Sequence, residues 1–191
     1  MAIDFRNFTD DIASFFGDPT EDFGARQNGD RPEEGREDAA TFITNKYVEN
    51  VLQGADTPFG NVIVTFNQDI LKSAFMNAFN IGFDYRSESG LPIIFSNTIY
   101  TGLLGFWTSG ILSFTFPPPT SIQIVSNVVT FPGSPQGLSF ENFNKSHRVF
   151  AKELVQMFRK HLMTLTGITT SLVPQPTGPP IPITFPWSGY R

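Results

Sequence analysis

The stretch that decides the fold is Ile93–Phe116, IIFSNTIYTGLLGFWTSGILSFTF, which lies in a window without a single charge between Glu88 and Glu141. About 20 predominantly apolar residues are enough to span a bilayer, so its length admits a membrane segment. Its composition argues against one. Ser96, Asn97, Thr98, Thr101, Thr108, Ser109, Ser113 and Thr115 sit inside the window with Gly102, Gly105 and Gly110, and no Lys or Arg lies close on either side. A buried helix accounts for the same residues. Ile99, Leu103, Phe106, Trp107, Ile111 and Leu112 fall near one broad face, with glycines and hydroxyls on the rest. The charge-free half of the chain is then either the centre of the monomer or packed on neighbouring copies.

Upstream, NQDILKSAFMNAFNIG carries the clearest helical pattern. Asn67 is placed as its N-cap, Phe66 to staple onto Leu71, and Ile70, Leu71, Ala74, Phe75, Ala78 and Phe79 form one stripe ended by Gly82. Alanines beside the phenylalanines allow a second helix to approach closely. Before it, Asp38 is a candidate N-cap for a helix over 39–53 with Ile43, Tyr47, Val51 and Leu52 on one face, and VIVTF is short and β-branched enough for a strand. At the N-terminus, Phe5, Phe8, Ile12, Phe15 and Phe16 predict an amphipathic helix over 4–16. The Gly-, Pro- and charge-rich run 17–37 predicts a flexible acidic linker. With acids inside MAIDFRNFTDDIASFFG and no basic start, the reading is of a chain without a signal peptide.

Downstream, PPPT stops any helix. SIQIVSNVVTFPG reads as a short strand or a hairpin turning at Ser126-Asn127. Phe143, Phe150, Leu154, Val155, Phe158, Leu162 and Leu165 carry a helical stripe over about 141–166, with Gly167 as the stop. The tail SLVPQPTGPPIPITFPWSGYR has too many prolines for a helix or a central strand, and predicts an extended arm with anchoring aromatics. The expected fold class is mainly α: a compact helical core domain over 38–168 with minor β, an N-terminal helix and linker over 1–37, and a Pro-rich extended C-terminal arm over 169–191.

Charge is unevenly distributed. Residues 1–88 carry 7 Lys+Arg against 16 Asp+Glu, and residues 141–191 carry 6 against 2. Opposite signs at opposite ends favour head-to-tail association between copies, or pairing within one monomer.

The chemistry-bearing residues frame no reaction. The chain has no cysteine, its two histidines, His147 and His161, stand in no metal-ligating motif, and nucleophile-elbow, phosphate-loop and dinucleotide patterns are missing. Asp10-Asp11 and Glu33-Glu34 fall outside the expected rigid body. The reading is therefore of a protein that is not an enzyme, with no catalytic, cofactor or metal residues and no sequence-specific nucleic-acid recognition. The basic face of the last helix reads as a solvated surface or as a dock for the acidic half of another copy. Partner-binding candidates are Phe5, Phe8 and Ile12 on the N-terminal helix and Phe185, Trp187 and Tyr190 on the tail.

GFWTSGILSFTFPPP, then SNVVTFPGSP, then RKHLMTLTG followed by GPPIPITFPWSGY, together covering about 100–191, resemble small structural proteins of tailed bacteriophages, of the tail, neck or baseplate. The resemblance implies a multi-copy virion component, assembled in the host cytoplasm, whose partners are itself and other virion proteins. It brings no catalytic residues. The alternatives are a membrane-associated protein inserting Ile93–Phe116 and an enzyme or ligand-binding domain of another type.

Overall fold

The structure, a computed structural model, describes residues 3–17, 32–53, 61–84, 91–109, 111–115, 121–129, 147–173, 175–179 and 181–188. The fold is mainly α. The described residues form five α-helices: α1 (Phe5–Gly17), α2 (Pro32–Val48), α3 (Gln68–Asp84), α4 (Leu91–Thr108) and α5 (His147–Thr164). A π-helical turn, Glu49–Gln53, extends α2.

Local chemistry sets the helix starts. Asp4 Oδ1 accepts hydrogen bonds from the Arg6 and Asn7 amides at 3.0 and 3.1 Å, capping α1. Asn67 caps α3 as expected, its Oδ1 accepting the Asp69 amide at 3.1 Å. α2 starts earlier than its sequence suggested, at Pro32 instead of after Asp38. Proline is preorganised for the first helical turn, and Glu34 complements the positive end of the helix. Residues 32–37, assigned to the linker, are thus helical; residues 18–31 lie outside the described set.

The helices bury an aromatic core. Phe158 of α5 lies between Phe8 of α1 (ring centroids 5.6 Å apart), Tyr47 of α2 (4.9 Å) and Phe75 of α3 (6.0 Å). Phe16 packs edge-on to Phe150 at 5.5 Å, and Phe95 of α4 joins Phe79 and Phe150 at 6.0 and 6.2 Å. Trp107 and Tyr47 are fully buried with their polar tips engaged, Trp107 Nε1 donating to Tyr47 Oη at 2.8 Å. Phe66, expected to staple onto Leu71, packs against the core and stacks on Phe106 at 4.7 Å.

α1 is part of this core. Phe8 and Ile12 are 0 % exposed, and Phe15 and Phe16 are buried beside them. Asp11 takes Lys46 of α2 at 3.0 Å, and Asp10 takes Arg148 of α5 at 2.8 Å. The helix expected to act as a tethered arm covers the chain's own hydrophobic surface, its aromatic stripe packing against α5 and α2 in one core.

The apolar run 93–116 is broken in two. α4 ends at Thr108, where the Ser109 amide donates to the Gly105 and Phe106 carbonyls, and Ile111 begins a strand. Ile111 and Leu112 therefore leave the helical face assigned to them. None of the described helices is long and apolar enough to cross a membrane.

Five strands pair in sequential order, every neighbour antiparallel: β1 (Asn61–Thr65), β2 (Ile111–Thr115), β3 (Ser121–Val129), β4 (Leu165–Val173) and β5 (Ile181–Ser188). The hairpin turn expected at Ser126-Asn127 is a register shift between Ile124 and Ser126 within one continuous strand. The last helix stops at Thr164, short of the predicted 166, because LTGITTSLV is β-branched and pairs with both β3 and β5; Gly167 lies within β4. In place of a free arm over 169–191, residues 169–173 finish β4 and 181–188 form the edge strand β5. Pro182 and Pro186 lie four residues apart, so both can turn their missing donor to the open side of an edge strand. Gly178, at φ 120°, reverses the chain between β4 and β5 in a conformation that side chains other than glycine's resist.

His161, expected on or near the helix surface, is buried in the inner face of α5, its ring 6.1 Å from that of Tyr100. Burial lowers its pKa to about 4 and raises that of Tyr100. The unfolded chain takes up this proton near pH 6.5 and the folded chain near 4. The unfolded state thus binds more protons in that window, and stability falls as pH drops through it. A loss of about 3 kcal/mol between pH 6.5 and 4 is expected from this group. Denaturant unfolding of the wild type and His161→Leu across that range measures it: equal pH slopes would contradict the assignment.

Candidate functional site

α3 and α4 form an antiparallel pair whose close approach rests on small residues. A Cβ placed on Gly102 would lie 2.1 Å from the Ala74 Cβ, and one on Gly105 would lie 2.9 Å from Ile70 Cγ2. The glycines expected on the outer side of α4 therefore face α3. The alanine spacing in α3 and the glycine spacing in α4 are two halves of one contact.

This contact fixes which side of α4 points outward. Ile94, Asn97, Thr101 and Thr108 are exposed and Leu104 half-buried, one stripe at helical spacing. An outward helix face normally carries Lys, Arg, Asp and Glu, as the outer face of α5 does with Arg148, Lys152, Arg159 and Lys160. That of α4 carries none, and Ile94 is 50 % exposed.

Its threonines are also less polar than their composition suggests. Thr98, Thr101 and Thr108 donate their hydroxyls to the Ile94, Asn97 and Leu104 carbonyls at 2.9, 2.9 and 2.8 Å. Satisfied by their own helix, these side chains offer methyl groups to whatever packs on them. Beside them runs an open groove of about 560 Å³ between α3 and α4, with Ser73, Asn77, Thr98 and Thr101 on its sides, Ala74 and Gly102 at its floor and Asp69 as its one charged lining residue.

The chain matches no family model, no curated protein and no solved structure. The site is accordingly argued from its own chemistry. Among the described residues no group of three or more His, Asp or Glu is arranged to hold a metal ion. The groove holds three hydroxyls and one amide with a single carboxylate, an arrangement suited to packing and hydrogen bonding.

The partner-binding candidates divide. Phe8 and Ile12 are enclosed in the monomer core. Phe5 is half-buried with the Arg159 guanidinium 5.5 Å from its ring centre. Phe185 and Trp187 pair along β5 with Thr169 and Gly167 of β4, and Tyr190 lies outside the described residues. Phe5, Phe8 and Ile12 do not line the α3–α4 groove. The signal that finds that face is the charge-free window itself, once the helix is split into an inner and an outer side.

Charge pairing within the chain is partial. Lys46 pairs with Asp11 and Glu49, at 3.0 and 3.3 Å, its pKa raised chiefly by the hydrogen bond to Asp11. Lys72 pairs with Glu37 at 2.9 Å. Asp10–Arg148 joins the acidic front of the chain to its basic back, so the within-monomer arrangement accounts for one of the basic residues of α5.

Proposed function

We propose that this chain is a structural part that assembles in several copies through the outer α3–α4 face. Its sequence resemblance suggests the class: a virion component of a tailed bacteriophage, bound to copies of itself and to other virion proteins. The observation that carries the reading is the uncharged outer stripe of α4, with its hydroxyls turned back on the helix. Centres of protein interfaces are depleted of charge, and two copies of the α4 stripe bring no charge of their own to bury against each other, Asp69 of α3 being the one charge of the groove beside it. The lack of any catalytic constellation in the sequence is consistent with a part whose work is to bind.

The test places charge on exposed positions of that stripe. In Asn97→Lys/Thr101→Lys the helix keeps its propensity, so helical circular dichroism should be unchanged. Self-association, measured as mass by light scattering across a concentration series, should weaken by about 100-fold, because a buried unpaired charge costs several kcal/mol. A wild type that stays monomeric, or a variant that associates as well as the wild type, would sink the reading.

A further inference from the structure

Ile94 stands one turn before Thr98 on α4, with half of its surface exposed. One turn beyond Thr98, Gly102 and Ala74 floor the groove of about 560 Å³ between α3 and α4. An apolar knob and a hole lined with small residues thus lie on one helix at equal distances on either side of Thr98, about 6 Å each way at 1.5 Å per residue. A knob cannot fill a hole two turns away on its own helix. A second copy laid antiparallel, with a two-fold axis at Thr98, brings Ile94 of each copy over Gly102 of the other.

The one charge of the groove chooses between the two symmetric arrangements. Gly105 faces Ile70, so Asp69 stands about two turns beyond Thr98, and α4 begins at Leu91, about two turns before it. In the antiparallel pair Asp69 of each copy comes level with the first turn of the other's α4, whose positive end a carboxylate complements. A parallel pair would set Asp69 level with Asp69 and Ile94 level with Ile94. Like charges would then face each other and both holes would stay empty.

We infer that two copies pack α4 against α4 antiparallel about a two-fold axis at Thr98, Ile94 of each filling the α3–α4 groove of the other. This contact rests on the reading above that the face binds a second copy, and adds its geometry. A two-fold contact closes at two copies, so the pair is the unit from which several copies assemble.

The chain has no cysteine, so a single introduced thiol reports on a single position. Full-length Thr98→Cys and Ile94→Cys are oxidised mildly at a concentration where the wild type associates, and disulfide-linked dimer is followed on non-reducing gels. A disulfide needs Cα atoms within about 7 Å. Thr98 meets its own copy at the axis, whereas the two Ile94 positions stand about 12 Å apart along the helices, so Thr98→Cys should link at least about tenfold faster. In Ile94→Ser, with helical circular dichroism unchanged, association measured by light scattering should weaken by about tenfold, because each pair loses two buried apolar side chains. If Thr98→Cys fails to fold, Ile94→Ser, at an exposed position, still decides. Equal linking at both positions would overturn the antiparallel pair in favour of a parallel one. Wild-type association without linking at Thr98, or undiminished in Ile94→Ser, would overturn the two-fold contact, while its loss in Asn97→Lys/Thr101→Lys would leave the α3–α4 reading standing. A wild type that stays monomeric would overturn both.

Discussion

Phe158→Ala is expected to destabilise the protein by about 3–5 kcal/mol, read as a lower denaturant midpoint at unchanged slope. Phe158 is fully buried, and its ring meets one aromatic from each of three other helices: Phe8, Tyr47 and Phe75. Removing it forfeits the transfer free energy of the ring and leaves a void whose walls belong to four separate helices. They cannot close on it together without disturbing the stack on Phe8 and the Trp107–Tyr47 hydrogen bond. Since a domain is stable by only about 5–15 kcal/mol, this one ring carries a large share of the margin. A cost below about 1 kcal/mol would show that the junction relaxes freely and that the helices are held elsewhere.

Gly102→Ala is expected to cost about 1–3 kcal/mol, against the direction of helix propensity, which favours alanine over glycine by about 1 kcal/mol. Its Cβ would overlap the Ala74 Cβ at 2.1 Å, so α3 and α4 must separate or slide. The reciprocal change Ala74→Gly removes the obstructing methyl. The double variant Ala74→Gly/Gly102→Ala should therefore regain most of the loss, with a coupling of at least about 1 kcal/mol in a double-mutant cycle. Additive effects in unfolding measurements would mean that the two positions do not meet. Because this contact also sets which stripe of α4 faces outward, separation of the helices should weaken self-association in parallel with stability.

Much of the helical content is legible as periodicity. The α1 aromatics, the α3 stripe with its Asn67 cap and the inner face of α4 all follow from spacing, because one buried side per helix is a local pattern. The same pattern does not say what covers a stripe. α1 reads as a tethered helix and is core, and the difference lies in its packing on α5 and α2. The outer face of α4 was half-legible: its lack of charge is plain in the chain, whereas its outward position follows from Gly102 against Ala74.

Strands were the harder part. IPITFPWS carries two prolines and reads as an extended arm; it becomes β5 because β4 offers it an edge and the open side tolerates the missing donors. The break after Thr164 likewise depends on β3 and β5 lying on either side of LTGITTSLV. The sequence by itself determined the helices, the aromatic composition of the core and the absence of charge from Ser89 to Phe140, since each is a property of neighbouring residues. Only the tertiary structure decided that α1 is core, that the tail's second half is a strand and which side of α4 is outermost, since each depends on surfaces contributed by segments distant along the chain.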